Sequence, residues 1–154
     1  MNDNAILICY DGTDDSDRAI DTAAELFGSR RAIVLDVGPP LTGAESVASL
    51  SILPGGLFED LNAAEALQRA TIGAERARKA GFTADPRSAI AAPTWEGIVD
   101  VADEIDSAVI VLGSRGLNGI REQFEGSVSH QVAEHAGRPV LIVPPANGAS
   151  HPAA

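Results

Sequence analysis

The chain has 154 residues with 22 acidic against 11 basic side chains, a formal net charge of −11. A surface that negative repels nucleic acid and anionic lipid over long range, so neither is expected as a partner. Hydrophobic residues make up 45 % and aromatics only 4 %, so a core of single-domain size has to be built from Ala, Val, Ile and Leu, a palette that suits helices packed on a sheet.

In chain order, Ala5 to Tyr10 is a continuous apolar run ended by Asp11-Gly12-Thr13. It predicts a strand buried on both faces and a turn, the pattern of a parallel sheet. Ser16 to Phe27 puts Ile20, Ala23, Ala24 and Phe27 on one helical face, with Asp14, Asp15 and Asp17 near the favourable N-terminal end. Ala32 to Val37 is a second strand, stopped by Gly38-Pro39-Pro40. Leu41 to Gly56 has no periodicity and reads as a mobile loop. Glu59 to Lys79 turns helical, with Leu67, Ala70, Ala74 and Ala77 as the apolar stripe and Gly81 as the C-cap.

Thr83 to Ile90 is a third strand, and Pro86 confines it to an edge or to a late start. Pro93-Thr94 opens a helix carrying Ile98, Val99, Ala102 and Ile105. Ala108 to Leu112, the most apolar strand, ends at Gly113. A last helix spans about Ser127 to His135, and Val140 to Val143 forms a final strand closed by Pro144-Pro145. Residues 1–145 are expected to form one domain, with a disordered tail over 146–154. Alternating strands and helices predict an open, mostly parallel five-stranded sheet covered on both faces. In such sheets ligands sit beyond the carboxyl ends of the strands, which directs attention to the loops after the first and fourth strands.

The loop after the fourth strand, Gly113 to Ser129, carries the densest chemical signal. Gly113 and Gly116 let the backbone approach and wrap an anion. Gly126-Ser127-Val128-Ser129 lies at a helix start, where unpaired N–H groups favour phosphate and two hydroxyls add donors. The bland alternative is a tight strand-to-helix connection with Ser127 as a helix cap. A P-loop is excluded because the chain has no Gly-Lys-Ser/Thr triplet and its only lysine is Lys79. A dinucleotide fingerprint is excluded because Gly113, Gly116 and Gly119 have the wrong spacing and follow the wrong strand.

The spacing of Gly113, Gly116, Gly126 and Ser127 resembles the ATP-binding signature of the universal stress protein family: glycine, two residues, glycine, nine residues, glycine and a hydroxyl residue. Tyr10-Asp11-Gly12-Thr13 with Ser16 is similar to the family's first-strand motif, Pro93 through Ala102 to its third-helix entry, and Arg138 through Val143 to its C-terminal block. The resemblance covers residues 5 to about 143. It implies a sheet of order 3-2-1-4-5, adenine nucleotide alpha hydrolase-like, and a homodimer.

Carried over by position, the resemblance implies that Asp11, with its neighbours Tyr10, Gly12 and Thr13, meets the ribose or adenine side, and that the backbone at Val37 and Gly38 contacts adenine. Leu112, Gly113, Arg115 and Gly116 border ribose and phosphates, while Gly126, Ser127, Val128 and Ser129 hold the phosphates, with ATP bound alongside Mg2+. The sequence departs from the family pattern at Ala108, Asn118 and Glu125, and a carboxylate at 125 works against a triphosphate unless a metal or Arg121 compensates.

The remaining candidates have plainer readings. Asp11 is also a common turn residue before glycine. His130 and His135 have no acidic or cysteine neighbours at metal spacing. Cys9, alone and within an apolar strand, is a small hydrophobe and says nothing of the redox compartment. Trp95 is either packing or a cover for a ligand or partner. Residues 1–10 lack a basic start and a long apolar run, and Ala108 to Leu112 is far too short to cross a membrane, so a cytoplasmic protein is expected.

Three functions fit: an ATP-binding regulatory or stress-response module, a slow ATP hydrolase in which Asp11 activates water, and a nucleotide-free dimeric scaffold. The downstream protein partner is not encoded in any motif. The last strand supplies the dimer edge in each case.

Overall fold

The computed structural model describes residues 4–40, 57–114 and 127–146. In chain order these form β1 (Ile6–Cys9), α1 (Asp14–Phe27), β2 (Arg31–Gly38), α2 (Leu57–Lys79), β3 (Thr83–Ile90), α3 (Thr94–Glu104), β4 (Ile110–Gly113), α4 (Val128–His135) and β5 (Val140–Val143). The five strands make one sheet of order β3-β2-β1-β4-β5, and every neighbouring pair is parallel.

Side chains alternate between two cores because successive strand residues point to opposite faces. Ile6 and Ile8 of β1, Val34 of β2 and Val111 of β4 pack with Ala19, Ile20 and Ala23 of α1 and Ala74 and Ala77 of α2. Leu7, Leu35, Ile110 and Leu112 pack on the other face with Ile98 and Val101 of α3 and Val132 of α4. This is why the strands read as unbroken apolar runs: both faces of the sheet are covered. β3 lies at one edge, where its Pro86 is tolerated, and β5 lies at the other.

Two local details differ from the sequence reading. Helix α1 begins at Asp14, two residues earlier than the apolar spacing implies, because Thr13 caps it by accepting a hydrogen bond from the Ser16 amide. In α2 the buried stripe is Ala66, Ala70, Ala74 and Ala77, and Leu67 is exposed. The helix approaches the sheet too closely for leucine there: a Cβ on Gly73 would stand 2.6 Å from Cγ of Tyr10 and 2.9 Å from a methyl of Val34. Small residues therefore define the contact face, and Leu67 points away.

Among the described residues, no helix is long and apolar enough to cross a membrane. The expected loop over 41–56, the residues 115–126 of the glycine-rich loop and the tail from 147 lie outside the described residues.

Candidate functional site

With β1 between β2 and β4, the winding direction reverses at β1, and the carboxyl ends of these strands open a crevice. An open cleft of about 600 Å³, counted to its solvent mouth, occupies that position. Cys9, Tyr10 and Asp11 line it from the end of β1, Leu35, Asp36 and Val37 from β2, and Leu112 and Gly113 from β4. Thr13 and Ser16 reach it from the start of α1, Thr94 and Ile98 from α3, and Val128 and Ser129 from α4.

The turn after β1 is tied by its own side chains. Asp11 Oδ1 accepts from the Thr13 amide at 3.0 Å and from Thr13 Oγ1 at 2.5 Å. Thr13 Oγ1 accepts from the Ser16 amide at 3.3 Å, and Ser16 Oγ donates to the Thr13 carbonyl at 2.8 Å. Asp11 thus combines both readings: it shapes the turn and faces the cleft. The aromatic ring of Tyr10 packs into the core beneath α2, and its hydroxyl donates to Asp17 Oδ1 at 3.1 Å. Burial, with the Asp17 contact adding, pushes the Tyr10 phenol up to about 12, so it remains a neutral donor.

Gly113 has a structural reason beyond the one its motif suggests. A Cβ there would meet the Asp15 carbonyl oxygen at 3.1 Å, so glycine lets the end of β4 touch the first turn of α1. Across the cleft, Ser127 is the N-cap of α4: its Oγ accepts from the His130 amide at 3.2 Å and lies 3.1 Å from Ser129 Oγ. The capping role and the cleft position coexist here too, because Ser129 is buried yet lines the crevice.

Of the residues expected to bind nucleotide, Tyr10, Asp11, Thr13, Val37, Leu112, Gly113, Val128 and Ser129 line this one cleft. Gly12, Gly38 and Ser127 adjoin lining residues in the chain without lining it themselves. Arg115, Gly116 and Gly126 lie outside the described residues, as do Arg121 and Glu125.

The sequence reading missed Cys9, Ser16, Leu35, Asp36, Thr94 and Ile98 as cleft residues. For Asp36 a signal existed: it is the single carboxylate in an otherwise buried apolar strand. Asp36 is 6 % exposed, and Arg69 of α2 donates Nε–H to its Oδ2 at 2.5 Å. Burial raises the Asp36 carboxyl above the usual range, opposed by Arg69 and reinforced by the nearby charge of Asp11. Cys9 is half-buried at the same end of the sheet, and burial, with Asp11 and Asp36 adding, holds its thiol at about 12. It is a protonated wall of the cleft and not a nucleophile.

Trp95 stacks on His135, ring centroids 4.4 Å apart and planes at 26°, joining α3 to α4. Among the described residues no group of three His, Cys, Asp or Glu side chains is placed to hold a metal. Among the described residues, none of those lining the cleft is a lysine or arginine.

The arrangement therefore offers apolar walls from Leu35, Val37, Ile98 and Leu112, two carboxylates at the β1 and β2 ends, and hydroxyl and amide groups at the start of α4. It suits a flat, largely apolar body carrying an anionic group directed toward α4.

Known proteins share this fold. A universal stress protein YxiE from Bacillus subtilis is 32 % identical over 146 residues, covering 91 % of this chain and 98 % of that protein. The solved structure of hypothetical protein MJ0577 superposes with a TM-score of 0.75 at 22 % identity, covering 96 % of this chain and 99 % of that one. A universal stress protein solved in complex with cAMP superposes with a TM-score of 0.64 at 26 % identity, covering 92 % and 96 %. The family model for universal stress proteins matches residues 4–144, nearly the whole described fold, and with these relatives it shows that the chain belongs to the universal stress protein family.

Proposed function

We propose that this chain is an adenine-nucleotide-binding module of stress response, holding ATP with Mg2+ in the cleft at the ends of β1, β2 and β4. The observation that carries this reading is the convergence on one crevice of Asp11, Val37, Gly113, Val128 and Ser129, which come from four separate parts of the chain. Support comes from a relative at 26 % identity that was solved with cAMP, an adenine nucleotide. The apolar walls fit an adenine ring, and the capped start of α4 fits its phosphate end.

Asp11 meets the ribose or adenine side of the nucleotide in this reading, and its Oδ1 accepts two hydrogen bonds that hold it in place. Arg115, Gly116 and Gly126 complete the phosphate contacts in this proposal. The role is regulatory, with ATP turnover slow at most: among the described residues the lining holds no histidine or lysine, which leaves Asp11, already tied into its own turn, as the candidate to activate water. The protein works in the cytoplasm as one domain over 1–145 and pairs through the exposed edge of β5.

Native mass spectrometry of gently purified protein tests the ligand. The expected result is retained adenine nucleotide, lost in Gly126→Val. A protein that retains none and binds none when ATP and Mg2+ are added is the nucleotide-free scaffold instead. Steady phosphate release that disappears in Asp11→Asn makes it a hydrolase.

A further inference from the structure

At the opposite end of the sheet from the nucleotide cleft, the amino ends of β1 and β2 and the end of α3 form a second hollow. It measures about 590 Å³ counted to its open mouth and is lined by Asn4, Ala5, Arg31, Ile33 and Ile105. Ile6 lies beside Ala32 in the parallel register, so Ala5 and Arg31, one residue earlier on each strand, are neighbours as well. By strand alternation both belong to the sheet face of Leu7 and Ile33. Ile105, the C-cap of α3, packs on that face.

The polar side chains of the hollow are one guanidinium and one amide. Among the described residues, Arg18, Arg69, Arg76, Arg87 and Arg138 each face a carboxylate, whereas Arg31 has no hydrogen-bond or ion-pair partner. An arginine left open stands out in a chain with 22 acidic and 11 basic residues. Asn4 donates Nδ2–H to Asp106 Oδ2 at 2.8 Å. That bond fixes the orientation of the amide, because a carboxylate only accepts, and it leaves Oδ1 of Asn4 as an acceptor with the Asp106 charge nearby. The end of α3 is partly neutralised: the Ala102 carbonyl accepts from the Ser107 amide at 2.9 Å and from Arg138 Nη1 at 3.0 Å.

We propose that this hollow is a second binding site, for a small apolar amino acid in its zwitterionic form. The ligand carboxylate pairs with Arg31, whose planar fork of N–H donors matches two carboxylate oxygens. The ammonium donates to Asn4 Oδ1, and the Asp106 charge adds attraction that a neutral amide N–H would not feel. The apolar side chain lies on Ala5, Ile33 and Ile105. A plain carboxylic acid leaves the Asn4 acceptor without a donor, and a plain amine leaves Arg31 without an anion. The site does not rest on the nucleotide reading, since the two hollows share no lining residue.

Titrating the isotope-labelled full chain with L-leucine, followed through its backbone amide resonances, tests this. Saturable shifts are expected at Asn4, Ala5, Arg31 to Ile33 and Ile105, with Asp11 to Thr13 unmoved. Isocaproate, which is leucine without its amino group, and isoamylamine, which is leucine without its carboxyl group, should each bind roughly ten- to hundredfold more weakly. Arg31→Gln should weaken leucine by a similar factor, and Arg31→Lys should recover part of the loss. Arg31 is an exposed residue at a strand end, so these variants are expected to keep the wild-type amide spectrum elsewhere. Should they not fold, the two analogues on wild type decide the matter.

Absence of shifts around the hollow up to the solubility of leucine overturns the proposal. So does isocaproate or isoamylamine binding as tightly as leucine, or leucine binding Arg31→Gln as it binds wild type. Failure of ATP to bind leaves this site standing, and failure of leucine to bind leaves the nucleotide cleft standing.

Discussion

At the scale of single residues, several positions serve the fold and the cleft together. Gly113 is the clearest case, because the space a side chain would need is already taken by the Asp15 backbone. Gly113→Val is expected to destabilise the protein by about 1–3 kcal/mol through overpacking, in addition to any loss of ligand, and urea unfolding measures it. Asp36 makes a second prediction, on pH. Its carboxyl is raised in the folded state, chiefly by burial, so the folded protein holds that proton to higher pH than the unfolded chain does. Its contribution is most favourable below the ordinary carboxylate range and is lost as pH rises through the raised value. Wild-type stability should therefore fall relative to Asp36→Asn across that window and run parallel above it, as read from urea midpoints in a pH series. Parallel curves throughout would remove burial as the dominant influence on this group.

At the scale of elements, the strands are the most legible part of the sequence. Their apolar runs stand out because both sheet faces are covered, and Ile8, fully buried, shows how much rests on them. Ile8→Ala should cost about 2–5 kcal/mol in chemical denaturation, as expected for a large buried side chain with little room to collapse. Helix α2 was harder to read. Leucine normally marks the buried stripe, but the close approach at Gly73 turned the stripe over to Ala66, Ala70, Ala74 and Ala77 and left Leu67 outside. Long-range packing decided that register, and alanine-rich spacing carries little of it.

The site divides along the same line. Asp11, Gly113 and Ser129 were visible because the motif coincides with a strand end at the first two and with a helix start at the third. Thr94, Ile98 and Ser16 were not, since each joins the cleft only through the way its helix docks. Asp36 broke the pattern of its own strand and could have been singled out on that ground.

At the scale of the molecule, the net charge of −11 and a cleft carrying Asp11 and Asp36 shape what can bind. Under the proposed function an anionic nucleotide brings its charge toward α4, where Ser127 caps a helix start, and a divalent cation is expected to strengthen binding of the triphosphate. Calorimetry should accordingly show ATP bound more tightly with Mg2+ than with EDTA; indifference to the ion would remove it from the proposal. The position of β5 at the edge of the sheet predicts a dimer at micromolar concentration by sedimentation, and a monomer throughout that range would exclude pairing through it.

The central claim is that one crevice, built by the ends of β1, β2 and β4 and the starts of α1 and α4, holds the nucleotide. Following backbone amide resonances of the isotope-labelled full chain while ATP and Mg2+ are added tests it residue by residue. Saturable shifts concentrated at Asp11 to Thr13, Asp36 to Gly38, Leu112 to Gly113 and Val128 to Ser129 are the predicted result. A spectrum unchanged at millimolar nucleotide, or shifts gathered on another surface, would contradict it.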